Sequence, residues 1–375
     1  MALSYNAFFT GALMEKRKLK ITAILCVTFG VAVFVCLLVI ASFFDLEISK
    51  ALTKGSLKAG EYYSDNEFAL FFEVAGGSVV YLSGGIASLI CLTASVKMED
   101  GQPFLLVKEL KGTAYKIIKT LLIIAFSAFA VYEMYAFFHD AFKYTDRYLQ
   151  DAVNGTGASF SLYSGYLTAV QVVIAFIFSG LIFALLLKIK REDIFTLIKL
   201  AALILTVEAM YLVFVGLIKG PIGRMRFRTM NAIGDFSYYT PWYKINGARH
   251  VLSDGTIGKG DFDAATLVGA ASDTCKSFPS GHTYCAAMSF ALVCLPDMFE
   301  RFKKTYIKVL CWVIPAVYTV TVAVTRIVVG AHFLSDVLIG GTLAFTLINI
   351  LREALILKGA HIKCFFKNTE KSEED

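Results

Sequence analysis

Charged residues are scarce in this 375-residue chain. Asp, Glu, Lys and Arg make up 18% of it against 57% hydrophobic residues, whereas soluble domains average about a quarter charged and about half apolar. Cysteine signatures are missing as well. The eight cysteines contain no C-x-x-C pair and no metal-ligand spacing. Cys26, Cys36, Cys91, Cys285, Cys294 and Cys311 fall within or at the ends of apolar runs, where cysteine acts as a small packing residue. Cys275 and Cys364 lie outside them and form no obvious pair. No internal repeat of the transporter kind is visible, and histidine occurs only five times. The net charge of +6 would suit nucleic acid if it were clustered in a soluble domain, but its distribution points elsewhere.

What is abundant is uninterrupted apolar sequence, with a mean hydropathy of +0.64. Crossing a hydrocarbon core takes about 20 apolar residues. Eight stretches approach that length: Ile21–Phe43, Phe68–Ser95, Ile117–Phe138, Tyr166–Leu187, Ile198–Ile218, Thr283–Leu295, Val309–Val329 and Phe333–Leu357. The sixth is short and must borrow Ser280–His282 or Met298–Phe302 to reach across. The first is too long for a signal-peptide core and lacks a small-x-small cleavage site. The pattern predicts an all-α, polytopic transmembrane bundle of about eight spans.

Lys and Arg set the predicted orientation. Lys16, Arg17, Lys18 and Lys20 precede the first span, and Lys97, Lys108, Lys111 and Lys116 follow the second. Lys188, Lys190, Arg191, Arg301, Lys303, Lys304 and the tail lysines from Lys358 onward fall on the same side. The positive-inside rule puts that side and both termini in the cytoplasm, in an integral membrane protein of a cell membrane. One long outer loop, Lys219 to Pro279, breaks the pattern with eight cations, but loops of that length translocate regardless of charge. The tail after Lys367 reads as disordered, and Asn154-Gly155-Thr156 on the outer side is a possible glycosylation sequon.

Three clusters converge on the outer face. Lys219, Arg224, Arg226 and Arg228 end the fifth span, and four cations beside hydrocarbon are most simply explained by an anion, for which the Arg fork is suited. Ser277-Phe278-Pro279-Ser280-Gly281-His282 leads into the sixth span, where a helix N-terminus offers free N–H groups. Thr325, Arg326, His332 and Asp336 join the seventh and eighth spans. If His332 opens a helix, Asp336 shares its face and can hold one imidazole nitrogen while the other stays nucleophilic. A lone histidine or arginine at a span end is more often structural; it is the convergence that points to chemistry.

The spacing resembles the three-part signature of the type 2 phosphatidic acid phosphatase superfamily, K-x6-R-P, P-S-G-H and S-R-x5-H-x3-D. Lys219 and Arg226 match the first part, Pro279 to His282 the second, and Arg326, His332 and Asp336 the third. Phe227 stands where the family has proline, and Thr325 where it has serine. The resemblance covers the last 160 or so residues. It implies a six-span phosphatase core at the C-terminal side, within residues 161–360, preceded by N-terminal helices over 1–160 that include two extra spans and followed by a cytoplasmic tail over 361–375. It further implies His332 as nucleophile, Asp336 as its orienting partner and His282 as proton donor. Lys219, Arg226, Ser280, Gly281 and Arg326 would bind phosphate, with no metal and no cofactor. The expected substrate is a lipid phosphate or isoprenyl diphosphate, handled through a phosphohistidine on the non-cytoplasmic face; membrane lipids are the expected surroundings, and nucleic acid is not an expected partner.

Beyond the motifs, Glu73 and Glu133 map to the outer third of their spans, where ionisable groups face a cavity or a partner, and one of them is expected to line the substrate approach. Glu208 falls near mid-membrane in the fifth span. Tyr238, Tyr239, Trp242 and Tyr243 fit an interfacial belt better than a substrate wall, although Trp242 is kept as a candidate on the approach. Two other readings stay open from sequence: a phosphatase of soluble phosphomonoesters, and a lipid transporter or scramblase without hydrolysis. The latter favours polar residues at the midplane and paired repeats, whereas the ionisable cluster here lies at a surface.

Overall fold

The computed structural model of the protein describes residues 2–101, 111–153, 165–247 and 274–359. Arg249, Lys259, the sequon at Asn154 and the tail over 361–375 lie outside the described residues. The chain is a helical bundle built from α1 (Ala2–Thr53), α2 (Glu67–Val96), α3 (Gly112–Val153), α4 (Gly165–Leu187) and α5 (Arg191–Tyr211). A π-helical turn, Leu212–Leu217, joins α5 to α6 (Ile218–Ile222), and α7 (Phe227–Ile233) follows. Then come α8 (Gly281–Ala287), α9 (Leu295–Met298), α10 (Thr305–Val328) and α11 (Leu334–Leu351).

Among the described residues seven helices, rather than the eight expected, are each long and apolar enough to cross a membrane. The exception is the expected sixth span. It is a broken rod: α8, then a 3₁₀ stretch over Met288–Cys294, then α9. Pro296 in the first turn of α9 has no N–H to donate to the preceding turn, which weakens a continuous α-helix at that point. Nearly all of residues 281–294 are buried, which places this rod inside the bundle.

The axial element is α2, which packs against α3, α4, α5, α8 and α10. Its buried face carries small residues, among them Ala87, Ser88, Cys91, Ala94 and Ser95, and small side chains let neighbouring helices approach closely where lipid offers no hydrophobic drive. The outward faces are the reverse of a soluble protein's. Phe29, Val33, Val39 and Phe43 of α1, and Phe176, Ile177 and Leu181 of α4, are all exposed, as expected where hydrocarbon is the solvent.

On one side α1 packs on α10 and α11, and α2 contacts α8 and α10 directly. On the other, α3 and α4 pack chiefly on each other and on α2. The buried face of α1 is narrow and mostly polar: Ala41, Asp45, Ser49 and Thr53 recur every fourth residue.

Candidate active site

The third motif owes its spacing to a helix terminus. Gly330 (φ 65°) takes the left-handed conformation at the end of α10. Its N–H donates to the Ile327 carbonyl at 2.8 Å, and the Ala331 N–H reaches back to that of Arg326 at 3.1 Å. This is a Schellman turn, and glycine is the residue that occupies its left-handed position without strain. The turn sends the chain back so that the His332 N–H also donates to the Arg326 carbonyl, at 3.2 Å. Arg326 and His332, six positions apart, are thereby held at the same helix end.

His332 is fully buried. Its Nδ1 lies 2.6 Å from the backbone carbonyl of Ser277 and 3.7 Å from Asp336 Oδ2. The carbonyl can only accept, so Nδ1 carries the hydrogen and Nε2 keeps its lone pair. Nε2 is buried without a hydrogen-bond partner among the described residues. Burial pushes the imidazole pKa down to about 3, and the charges of Arg226 and Lys219 push the same way against the opposing Asp336. The ring is therefore neutral and nucleophilic across the physiological range.

Asp336 differs from its expected role as the direct partner of that imidazole. At 3.7 Å it lies beyond hydrogen-bond distance of Nδ1, and its oxygens are engaged elsewhere. Oδ2 accepts from the Ser277 hydroxyl at 2.5 Å and from the Phe333 N–H at 2.9 Å. Oδ1 accepts from Arg224 at 2.5 Å. Ser277 thus joins the two: its carbonyl holds the histidine and its hydroxyl holds the carboxylate. Its place at the head of the second motif run was the available signal.

Arg224 sits at the centre of this arrangement. Its guanidinium reaches Asp336 on one side and Asp45 of α1, at 2.9 Å, on the other, and it also bonds Ser335 Oγ and the Thr240 carbonyl. The Phe333 ring lies 4.2 Å from it and that of Tyr239 5.6 Å. An arginine so enclosed is engaged by the protein's own carboxylates, whereas its place in the four-cation cluster suggested an outside anion. Arg228 is likewise buried, stacked over Tyr62 at 4.6 Å.

The second motif is fixed through its backbone. Ser280 caps α8: its hydroxyl accepts from the Thr283 N–H and pairs with the Thr283 hydroxyl, while its own N–H donates to the Asp336 carbonyl at 3.0 Å. Ser280, expected to contact phosphate, thus caps α8 and ties it to α11. That bond requires close approach, and a Cβ on Gly340 would stand 2.3 Å from the Ser280 carbonyl oxygen. Gly281 opens α8 against Tyr211 and Val215. His282 is half-buried beside α2, where a Cβ at Gly77 would lie 3.3 Å from its Nε2 and 3.8 Å from Asp140 Oδ2. Asp140, at the outer part of α3, was not anticipated.

The first motif follows the π-helical turn, which shifts the helical register just before Lys219. Lys219 is half-buried, and its charge acts on His332 together with that of Arg226. Arg226 is buried and donates to the Ala331 carbonyl at 3.0 Å. Phe227, which replaces the family's proline, is the first residue of α7, after an extended Arg226 (φ −74°, ψ 149°). A proline is well tolerated at that position and favours that conformation before it, so the backbone path is the one a proline would support. Phe227 instead buries its ring against Phe236 and Phe333.

The remaining candidates are placed as follows. Glu73 is buried and ion-paired to Arg326 at 3.3 Å, so it braces a site arginine. Glu133, on α3, is buried, as is Glu208 on α5. Trp242 stacks on Phe278 and donates to Ser42 Oγ at 3.0 Å, fastening the outer segment to α1. Tyr239 turns inward against Phe333, which departs from the expected belt, whereas Tyr243 is exposed.

Residues 199–356 match the family model described as PAP2 superfamily. The matched stretch holds all three clusters, from Lys219 to Asp336, while Asp45, Glu73 and Asp140 lie outside it. No significant match was found among curated proteins or among solved structures.

Proposed function

We propose that this chain, whose residues 199–356 belong to the PAP2 superfamily, is an integral membrane phosphatase that hydrolyses a lipid phosphate or diphosphate through a phosphohistidine at His332. The observation that carries this reading is the state of that imidazole. It is buried, neutral and fixed by Ser277 in the tautomer that leaves Nε2 without a hydrogen-bond partner among the described residues. A histidine kept only for structure would be expected to have both nitrogens bonded.

In the proposed reaction, Lys219, Arg226 and Arg326 neutralise the non-bridging oxygens of the phosphoryl group, which is the main task in phosphoryl transfer. The Gly281 N–H, in the first turn of α8, adds a donor. The Nε2 lone pair attacks phosphorus as the bond to the leaving oxygen breaks, and His282 gives that oxygen its proton. Water then attacks phosphorus, the P–N bond breaks, its electrons return to Nε2, and His282 takes the proton from water. Inorganic phosphate leaves and the enzyme is restored.

Both termini are assigned to the cytoplasm and the site to the opposite face, on the Lys and Arg distribution. A lipid would present its headgroup there from the side while its chains stay in hydrocarbon. Phosphate release by the purified protein, assayed on a panel of lipid and soluble phosphates, tests the proposal. Turnover that is lost in His332→Ala and persists in chelator is expected. Wild-type turnover in His332→Ala, or chelator inhibition restored by a divalent metal, would overturn the mechanism.

A further inference from the structure

The first helix looks like a lipid-facing addition to the matched region, yet its buried stripe points into the catalytic cluster. Asp45 is fully buried, and among the described residues the donors that reach it belong to the later part of the chain. Arg224 donates to Oδ2 at 2.9 Å, the Ser335 N–H donates to Oδ1 at 3.1 Å, and the Ser335 hydroxyl also bonds Oδ2. Ser335 is the second residue of α11 and directly precedes Asp336. Asp45 therefore supplies, from another helix, the acceptor that a helix N-terminus needs for its unpaired N–H groups.

We infer that Asp45 is a positioning residue for the phosphoryl-transfer site, acting through Arg224 and the first turn of α11. The argument rests on charge as well as geometry. One guanidinium is shared between two buried carboxylates, so Asp45 and Asp336 pull Arg224 in opposite directions and hold it between them. Arg224 in turn fixes Asp336, which orders Ser277, whose carbonyl orients His332. Each link is a direct contact, and none needs Asp45 to touch substrate. A span that only anchored the protein would gain nothing from burying a carboxylate, which is costly inside a membrane. The inference rests on the phosphatase reading above.

Asp45→Asn keeps the shape and removes the charge. With the full-length purified protein, kcat is expected to fall ~10- to 100-fold, the scale of a small misplacement of a reacting group, while KM stays within about twofold because the phosphate-binding cations are untouched. Thermal unfolding and gel-filtration behaviour should show folded protein. In a Ser277→Ala background the same change should add little, since both act along one path. If Asp45→Asn yields no folded protein, Ser335→Ala, which breaks one of its two grips on α11 and alters no charge, is read in the same way. Wild-type kcat in a folded variant, or an unchanged penalty in the Ser277→Ala background, would overturn the assignment. Wild-type protein that hydrolyses no phosphate compound would instead sink the phosphatase reading and the inference with it, and the two failures are distinct.

Discussion

His332 and Ser277 meet through a side chain and a backbone carbonyl: Nδ1 of the first lies 2.6 Å from the oxygen of the second. In hydrolases where a carboxylate sets the histidine tautomer, replacing it with an amide drops kcat by about 10⁴. Here a carbonyl sets it, and no side-chain substitution removes a carbonyl. Asp336→Asn is therefore expected to cost only ~10- to 100-fold in kcat, by loosening Ser277 and Arg224. His332→Ala should fall to background. Steady-state kinetics of the two variants side by side provide the check, and equal losses would mean that Asp336 acts directly on the imidazole.

The two histidines should also separate by leaving group. His332 forms the covalent bond, whereas His282 supplies a proton to the departing oxygen. His282→Ala should be far less impaired on an activated aryl phosphate, whose leaving group needs no proton, than on an alkyl phosphate. His332→Ala should be inactive on both. An identical loss for His282→Ala on the two substrates would remove it from the acid role.

Stability should respond to acid through His332. Its folded pKa of about 3 lies below the ordinary histidine value of 6.5, so between these limits the unfolded chain binds a proton that the folded protein refuses. The contribution is present in full above pH 6.5 and is lost as pH falls toward 3. The melting temperature of the wild type should thus fall more steeply from pH 6.5 to 4 than that of His332→Gln. Parallel curves would mean that the imidazole is protonated in the native state.

Much of this was legible in the sequence, for reasons that are local. Apolar run length announces a membrane span, and the Schellman turn that sets Arg326 to His332 leaves its trace as a fixed spacing around Gly330. What stayed hidden is non-local. Asp45 and Arg224 are 179 positions apart. The first apolar run ends at Phe43 in the sequence, which leaves Asp45 in a loop, whereas the helix continues to Thr53 with Asp45, Ser49 and Thr53 buried. Ser277 escaped because its carbonyl orients the histidine, and a carbonyl carries no residue-type signal. The break in the expected sixth span depends on burial, which hydropathy alone does not report.

Arg224 should be among the least replaceable residues for folding. Arg224→Met fills much of the space but leaves Asp45 and Asp336 buried with no cation between them. Removing one partner of a buried ion pair costs about 3–5 kcal/mol. A large drop in melting temperature or loss of folded protein is expected. A variant as stable as wild type would show that the two carboxylates are solvated or protonated when Arg224 is absent.

The last prediction concerns the contact of α11 with the second motif. Alanine is favoured over glycine in a helix interior by about 1 kcal/mol, so Gly340→Ala would stabilise an unconstrained helix. Here the added Cβ would stand 2.3 Å from the Ser280 carbonyl oxygen, which is backbone and cannot swing aside. Overpacking of this kind costs about 1–3 kcal/mol, so the clash should outweigh the propensity gain. The displacement also has a functional route, because it would stretch the bond from the Ser280 N–H to the Asp336 carbonyl and move α8 against α11. Gly216→Ala is the matched control, since nothing lies within 4 Å of its added Cβ. Gly340→Ala should lower both melting temperature and kcat, and Gly216→Ala should change neither by much. Similar behaviour of the two variants in thermal unfolding and in phosphate release would show that α11 does not sit this close to Ser280.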